Sequence, residues 1–264
     1  MNGNGPLFYY EVHEGQGPYL VLVHGYLSSR AQWLLNLEAL SRVARPVVIE
    51  LLGHGRSPTP QPPGPYLPDS YVEQLEALRR ALGAERWFLC GQSLGAGLTL
   101  RYALAYPERV LAQVFTNSTS ALAPEGWDRS IRPVMEREAE RLLRDGRRAL
   151  RDHFLSPLRA SRFPREAKEA LVRDLSLHDP AGIAYTGLYT VPRVSVRSRL
   201  GENRVPTLLV VGEREERFQE SRRYAEAHMP CLEVAALDAG HSVNIEDAPG
   251  FNRAVSDFLR RFRD

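Results

Sequence analysis

Four short stretches hold residue types that could carry out nucleophilic chemistry. The first is Gly91-Gln92-Ser93-Leu94-Gly95, which follows an apolar run at residues 87–90 and opens a helical pattern at 94–106. A serine on a sharp strand-to-helix turn has its hydroxyl raised above the sheet edge, and the helix N-terminus beneath it favours developing negative charge. Glycine is expected at positions 91 and 95 because side chains there would collide with neighbouring strands. The second stretch is Ala239-Gly240-His241. A serine hydroxyl is a weak nucleophile at neutral pH and needs a base within hydrogen-bond reach. Of the seven histidines (His13, His24, His54, His153, His178, His228 and His241), only His241 directly follows the last expected strand.

The third stretch is Gly212-Glu213-Arg214-Glu215-Glu216-Arg217-Phe218. A carboxylate there would fix the histidine tautomer and stabilise the imidazolium. Glu213, Glu215 and Glu216 all compete for that role. The fourth stretch is His24-Gly25-Tyr26. An oxyanion hole needs two converging backbone N–H donors. Leu94, just after the nucleophile, would supply one and Tyr26 the other. His24 is expected to hold its own loop by hydrogen bonds rather than to react.

These residues need a scaffold that brings them to one edge. Apolar runs at residues 7–12, 19–23, 47–52, 87–90, 110–115, 207–211 and 231–237 read as strands, alternating with helical patterns. The glycine-rich link at residues 15–18 predicts a hairpin between the first two. Residues 28–43 have helical spacing, residues 70–82 are helical with Asp69 as N-cap, and residues 250–262 form a last helix. Continuously apolar strands alternating with helices imply an α/β fold with a mostly parallel, doubly wound sheet covered on both faces. The alternation stops between residues 120 and 203, where 132–145, 147–154 and 165–175 look helical and arginine-rich. The expected organisation is a core of residues 1–119 and 204–264, with a helical cap at 120–203 over the carboxyl ends of the strands, where open α/β sheets bind ligands.

Composition narrows the function classes. The chain has 264 residues, 43% apolar and 25% charged, enough for a sizeable core. A net charge of +2 argues for neither a nucleic-acid partner nor a membrane partner. Lys168 is the sole lysine among 34 basic residues, a bias that genome composition would give first, and a preference for arginine ion pairs or a thermophilic origin would give as well. Cys90 and Cys231 sit beside apolar runs and read as buried free thiols. No run reaches the roughly 18 apolar residues of a membrane helix, and no charged leader opens the chain, so the cytoplasm is the default location. No cluster has ligand spacing, so no metal and no cofactor is expected. The expected partner is a small-molecule substrate, bound by a monomer or homodimer. Trp33, Trp127, Tyr185 and Tyr189 could line its pocket, although ordinary packing is the simpler role for each.

Together these motifs resemble the α/β-hydrolase superfamily. Residues 50–57, Glu-Leu-Leu-Gly-His-Gly-Arg-Ser, look like its D-x-x-G-H-G-x-S loop, with glutamate for aspartate. Pro107-Glu108-Arg109-Val110 is similar to the run after the nucleophile helix, and Gly240-His241 with Glu246 and Pro249 to the segment around the base. The resemblance implies Ser93, His241 and an acid three residues after Gly212, hence Glu215, and a structural role for His54. Residues 212–218 are also similar to the G-E-x-D-x-K-F run of 2-succinyl-6-hydroxy-2,4-cyclohexadiene-1-carboxylate synthases, which eliminate pyruvate and carry an arginine shortly after the nucleophile. Gly97 stands at that position here. The expectation is a carboxylesterase-like serine hydrolase working through an acyl-enzyme. The alternatives are a lyase or C–C hydrolase on a carboxylated substrate, and a non-catalytic ligand receptor on this fold.

Overall fold

The computed structural model describes residues 5–263. Seven strands form one sheet: β1 (Tyr10–Val12), β2 (Tyr19–Val23), β3 (Arg45–Ile49), β4 (Trp87–Gly91), β5 (Val110–Thr116), β6 (Thr207–Gly212) and β7 (Leu232–Leu237). Their spatial order is β1-β3-β2-β4-β5-β6-β7, and every pairing is parallel except β1 with β3. Strands β4 and β6 are buried along their whole length, as an apolar run covered on both faces requires.

Alternate side chains of each strand point to opposite faces. Val21, Val23 and Leu89 pack on one face with Leu75 of α2 (Pro68–Ala81) and Leu98 of α3 (Leu94–Ala105). Leu20, Leu22, Phe88 and Cys90 pack on the other with Leu40 of α1 (Leu37–Ser41) and with Phe251 and Val255 of α10 (Ala248–Arg260). The remaining helices are α4 (Trp127–Asp145), α5 (Arg147–Asp152), α6 (Arg165–Leu175), α7 (Pro180–Tyr185), α8 (Gln219–His228) and α9 (Val243–Glu246). The architecture is the α/β-hydrolase fold that the motifs imply.

Among the described residues, the stretch from β5 to β6 contains helices and turns but no strand. It is tied to the sheet side by two apolar clusters. Leu27 packs with Leu142, Leu150 and Ile183, and Ala31 packs with Ala167, Leu171 and Ile245. The buried Ser29 hydroxyl also donates to Asp174 at 2.8 Å.

Several local expectations need correction. β1 does not form a hairpin with β2; β3 lies between them, because Pro18 O accepts from Arg45 N and His13 N donates to Pro46 O. The third strand runs from residue 45 to 49, two residues earlier at its start and ending before Glu50. The 28–43 helix is broken into a 3-10 turn, Arg30–Trp33, and the short α1. Side chains drawn inward explain the break: Gln32 and Asn36 both bond Asn244, which lies beyond β7. Asp69 is not an N-cap. Pro68 starts α2 with its fixed φ and no N–H to satisfy, and Asp69 in the first turn pairs with Arg101 instead. α4 begins at Trp127, five residues ahead of the expected start. Cys90 is buried as expected, whereas Cys231 is exposed, in the bend before β7 with φ of 61°.

Candidate active site

The chain leaves β4 at Gly91 and turns through Gln92 and Ser93 into α3. Ser93 has φ 53° and ψ −116°, a left-handed conformation that costs a non-glycine residue of order 1–3 kcal/mol. Hydrogen bonds close the turn around it, from Gly95 N to Gln92 O at 2.8 Å and from Ala96 N to Ser93 O at 3.0 Å. A Cβ on Gly95 would collide with the Val23 carbonyl, and one on Gly91 with Gly95 O and Thr99 Oγ1. Both glycines are therefore needed for α3 to start directly against β2 and β4.

Beyond β2, His24, Gly25 and Tyr26 form the adjoining loop. Among the described residues, neither Tyr26 N–H nor Leu94 N–H donates to a protein acceptor. The loop is held by two buried imidazoles. His24 Nδ1 lies 2.7 Å from Gly25 O while its Nε2 accepts from Leu51 N at 3.0 Å. His54 Nδ1 lies 3.0 Å from Leu52 O while its Nε2 accepts from Leu27 N at 3.1 Å. Each ring thus has one donating and one accepting nitrogen, which is the neutral form. Burial lowers the His24 pKa to about 3 and that of His54 to about 4. The Tyr26 phenol donates to Ile183 O at 3.1 Å, and burial raises its pKa.

His241 follows β7, and its Nδ1 lies 2.9 and 3.0 Å from the two carboxylate oxygens of Glu215. Glu215 sits just after β6. Burial pushes its carboxyl up, but hydrogen bonding and charge from His241, helped by Asn117, outweigh burial and leave its pKa below the usual value. The other two glutamates are elsewhere: Glu213 pairs with Arg222 at 3.7 Å, and Glu216 is exposed at the start of a short 3-10 turn. A Cβ on Gly212 would collide with the Gly240 carbonyl, so the end of β6 and the His241 loop meet through a glycine.

Two supporting side chains had no signature in the spacing of motifs. Asn117, directly after β5, donates to Glu215 Oε2 at 2.7 Å and to Gly212 O at 3.0 Å, and accepts from Gly212 N at 2.9 Å. Glu246 accepts from Gly240 N at 2.9 Å and Ser242 N at 3.3 Å, clasping the backbone on both sides of His241. The only prior hints were a polar residue at a strand end and the glutamate in the segment around the base.

Ser93, His241 and Tyr26 line one cleft of about 240 Å³. Its far wall comes from the β5–β6 segment: Phe154, Leu155, Pro157, Phe163 and Leu171, with Arg159 as the one arginine of its lining. The four aromatic candidates do not line it. Trp33 is fully buried in the core, Tyr185 and Tyr189 pack against the core on the α2–α3 face, and Trp127 lines a separate depression with Tyr224 and Arg197. Among the described residues no group of three His, Cys, Asp or Glu is arranged to hold a metal ion.

A family model described as alpha/beta hydrolase fold matches residues 18–248. The chain belongs to this family. Among its alpha/beta hydrolase relatives is a putative 2-succinyl-6-hydroxy-2,4-cyclohexadiene-1-carboxylate synthase of Bacillus subtilis (strain 168), 30% identical over 91% of this chain and 89% of the relative. A putative carbamate hydrolase RutD of Pseudomonas savastanoi pv. phaseolicola is 29% identical over 95% and 98% of the two chains. Two solved structures share the fold at lower identity. MenH from S. aureus aligns with a TM-score of 0.83 at 20% identity, covering 97% of this chain and 99% of that one. A thermophilic esterase from Thermogutta terrifontis aligns with a TM-score of 0.80 at 23% identity, covering 97% and 94%. Glu50 is buried and accepts from Arg56 N at 2.6 Å. No helix is long and apolar enough to cross a membrane, among the described residues.

Proposed function

We propose that this alpha/beta hydrolase is a serine esterase that cleaves short-chain carboxylic esters or related acyl substrates through an acyl-enzyme. The observation that carries the reading is the 2.9 Å contact between His241 Nδ1 and Glu215 beside a cleft that also holds Ser93. With Nδ1 committed to the carboxylate, Nε2 is the nitrogen that takes the Ser93 proton as Oγ attacks the substrate carbonyl. The carbonyl electrons move onto oxygen, which Tyr26 N–H and Leu94 N–H receive as an oxyanion hole. The imidazolium returns its proton to the departing alcohol, and the C–O bond breaks. Water, deprotonated by His241, then cleaves the acyl ester and frees Ser93. Residues 120–203 act as the cap that closes the cleft, and residues 1–119 with 204–264 form the catalytic core.

The volume of about 240 Å³ lies under the roughly 300–1,000 Å³ of pockets for drug-sized ligands, which favours a small acyl group. Turnover of p-nitrophenyl acetate and butyrate by the wild type, lost in Ser93→Ala by at least about 10³-fold, is the expected result. No turnover of either, together with no labelling of Ser93 by a fluorophosphonate, would overturn the reading in favour of a non-catalytic receptor.

A second reading has the same triad acting as a lyase on a carboxylated substrate. Arg159 in the cleft and the Bacillus subtilis relative favour it. Against it, Gly97 faces Val194, whose Cγ2 would stand 2.6 Å from any Cβ there, so the room an arginine needs beside the nucleophile is filled. Release of pyruvate from a carboxylated ring bearing an enolpyruvyl ether, with a new ring double bond formed as the C–O bond breaks and followed with lactate dehydrogenase, would decide for this alternative if it exceeded ester turnover.

A further inference from the structure

The surface of the β5–β6 segment differs from the rest of the molecule. Residues 147–177 contain eight basic and four acidic side chains, a net charge of +4 where the whole chain has +2. The remainder is therefore net −2. Of the four acids, Asp174 is buried on Ser29, Asp152 and Glu169 are engaged by Arg148 and Arg165, and only Glu166 is exposed with no ion-pair partner among the described residues. Arg151, Arg159 and Arg173 are exposed and have no ion-pair partner among the described residues.

The same segment concentrates exposed apolar surface. Phe154 is 73% exposed, Leu155 41%, Leu158 40% and Leu177 43%. Single exposed apolar side chains are ordinary, but a cluster of them marks an interaction surface. A groove of about 300 Å³ lies between α5 and α6, lined by Leu150, Leu158, Val172 and Leu175, with Arg147 and Arg151 in its lining. A second depression shares Val172 and carries Arg165, Lys168 and Arg173. Phe154 and Leu155 belong to the lining of the Ser93 cleft, so this basic and apolar face runs to the cleft entrance.

We propose that this face docks on an anionic phospholipid bilayer, with Phe154, Leu158 and Leu177 entering the interface and Arg151 and Arg173 meeting the headgroups. Interfacial binding adds buried apolar area to attraction between basic residues and anionic lipid, and this surface offers both together. A nucleic acid would leave the leucines and Phe154 without a role. A second copy docking through the same face would set like charge against like charge. The near-neutral whole-chain charge hides the feature, because it averages a positive face with a negative remainder. Docking would bring the cleft entrance to the lipid surface, and it does not depend on Ser93 being a nucleophile.

The test is co-sedimentation of the full chain with vesicles of phosphatidylglycerol and phosphatidylcholine in equal parts, beside vesicles of phosphatidylcholine alone. Binding to the anionic vesicles, and its loss at about 0.5 M salt, is expected. A basic residue near an anionic surface contributes about fivefold in partitioning, so Arg151→Glu with Arg173→Glu should reduce binding by at least about twentyfold. Leu158→Ser with Leu177→Ser should reduce it while leaving salt sensitivity in place. All four positions are exposed, and an unchanged unfolding transition confirms that each variant is folded. No binding at low salt, equal binding to both vesicle types, or binding indifferent to these variants would each overturn the proposal.

Discussion

Glu215 reaches His241 with both carboxylate oxygens and is itself held by Asn117. The arrangement makes separable demands on charge and on geometry. Glu215→Gln keeps the length but replaces one acceptor oxygen with a donor, so the Nδ1 tautomer is no longer enforced. It is expected to lower kcat for p-nitrophenyl acetate by on the order of 10³–10⁴-fold. Asn117→Ala should act more mildly, because His241 still supports the carboxylate; a loss of about tenfold in kcat with KM nearly unchanged is expected. An Asn117→Ala enzyme as impaired as Glu215→Gln would mean that Asn117 does more than orient the acid. The turns that carry Ser93 and His241 were legible in the sequence because each lies in a short run whose glycines announce a turn. Spacing alone did not separate Glu215, the glutamate that the structure brings to His241, from Glu213 and Glu216. Asn117 was invisible because its partner lies 98 residues away, and a polar residue at a strand end has many ordinary uses.

At the scale of elements, the alternation of apolar runs and helical patterns was enough to predict a parallel sheet with helices on both faces. Connections between elements were less legible. The 13–18 link looks like a hairpin turn by composition, yet it leads β2 to the far side of β3. The pairing depends on which strand supplies acceptors across space, and no local pattern records that. The 28–43 segment has helical spacing, but Gln32 and Asn36 gain more from a buried amide network with Asn244 than from a continuous helix. The junction of β6 with the histidine loop offers a sharp test. Gly212→Ala would drive the Gly240 carbonyl away and shift His241 relative to Glu215. A displacement near 1 Å can cost about 10²-fold in rate, so kcat should fall by at least that factor in whatever protein remains folded. Wild-type kcat in a folded Gly212→Ala protein would show that the junction tolerates the extra carbon.

At the scale of the whole molecule, acid stability follows from histidines that fold in the neutral state. Besides His24 and His54, His153 is lowered to about 4 and His178 falls well below 6.5, burial being the first cause in each. The unfolded chain takes up protons on these rings as pH falls below about 6.5, while the folded chain does not until pH reaches the lowered values. Stability is therefore fully present above about pH 6.5 and is lost progressively from there down to about pH 4 for His54 and His153 and about pH 3 for His24. A ring lowered to about 4, as His54 and His153 are, removes about 1.5 kcal/mol between pH 6.5 and pH 5. Urea unfolding at pH 7 and pH 5 should show a much lower midpoint at pH 5, and His153→Gln should reduce the difference. Equal midpoints at the two pH values would refute this account. None of this was legible in a count of seven histidines, because burial decides which of them resist protonation.

The scarcity of lysine has a practical consequence for the helical segment. Lys168 sits on α6, half-buried, with its ammonium donating to Ala160 O at 2.7 Å. Apart from the chain's α-amino group it is the only primary amine. An amine-reactive dye can therefore mark one known side chain, on the same surface as Arg173 and next to the wall of the Ser93 cleft, without engineering a tag. A fluorophore at that position would report directly on what approaches the face and on whether the segment shifts when a substrate enters.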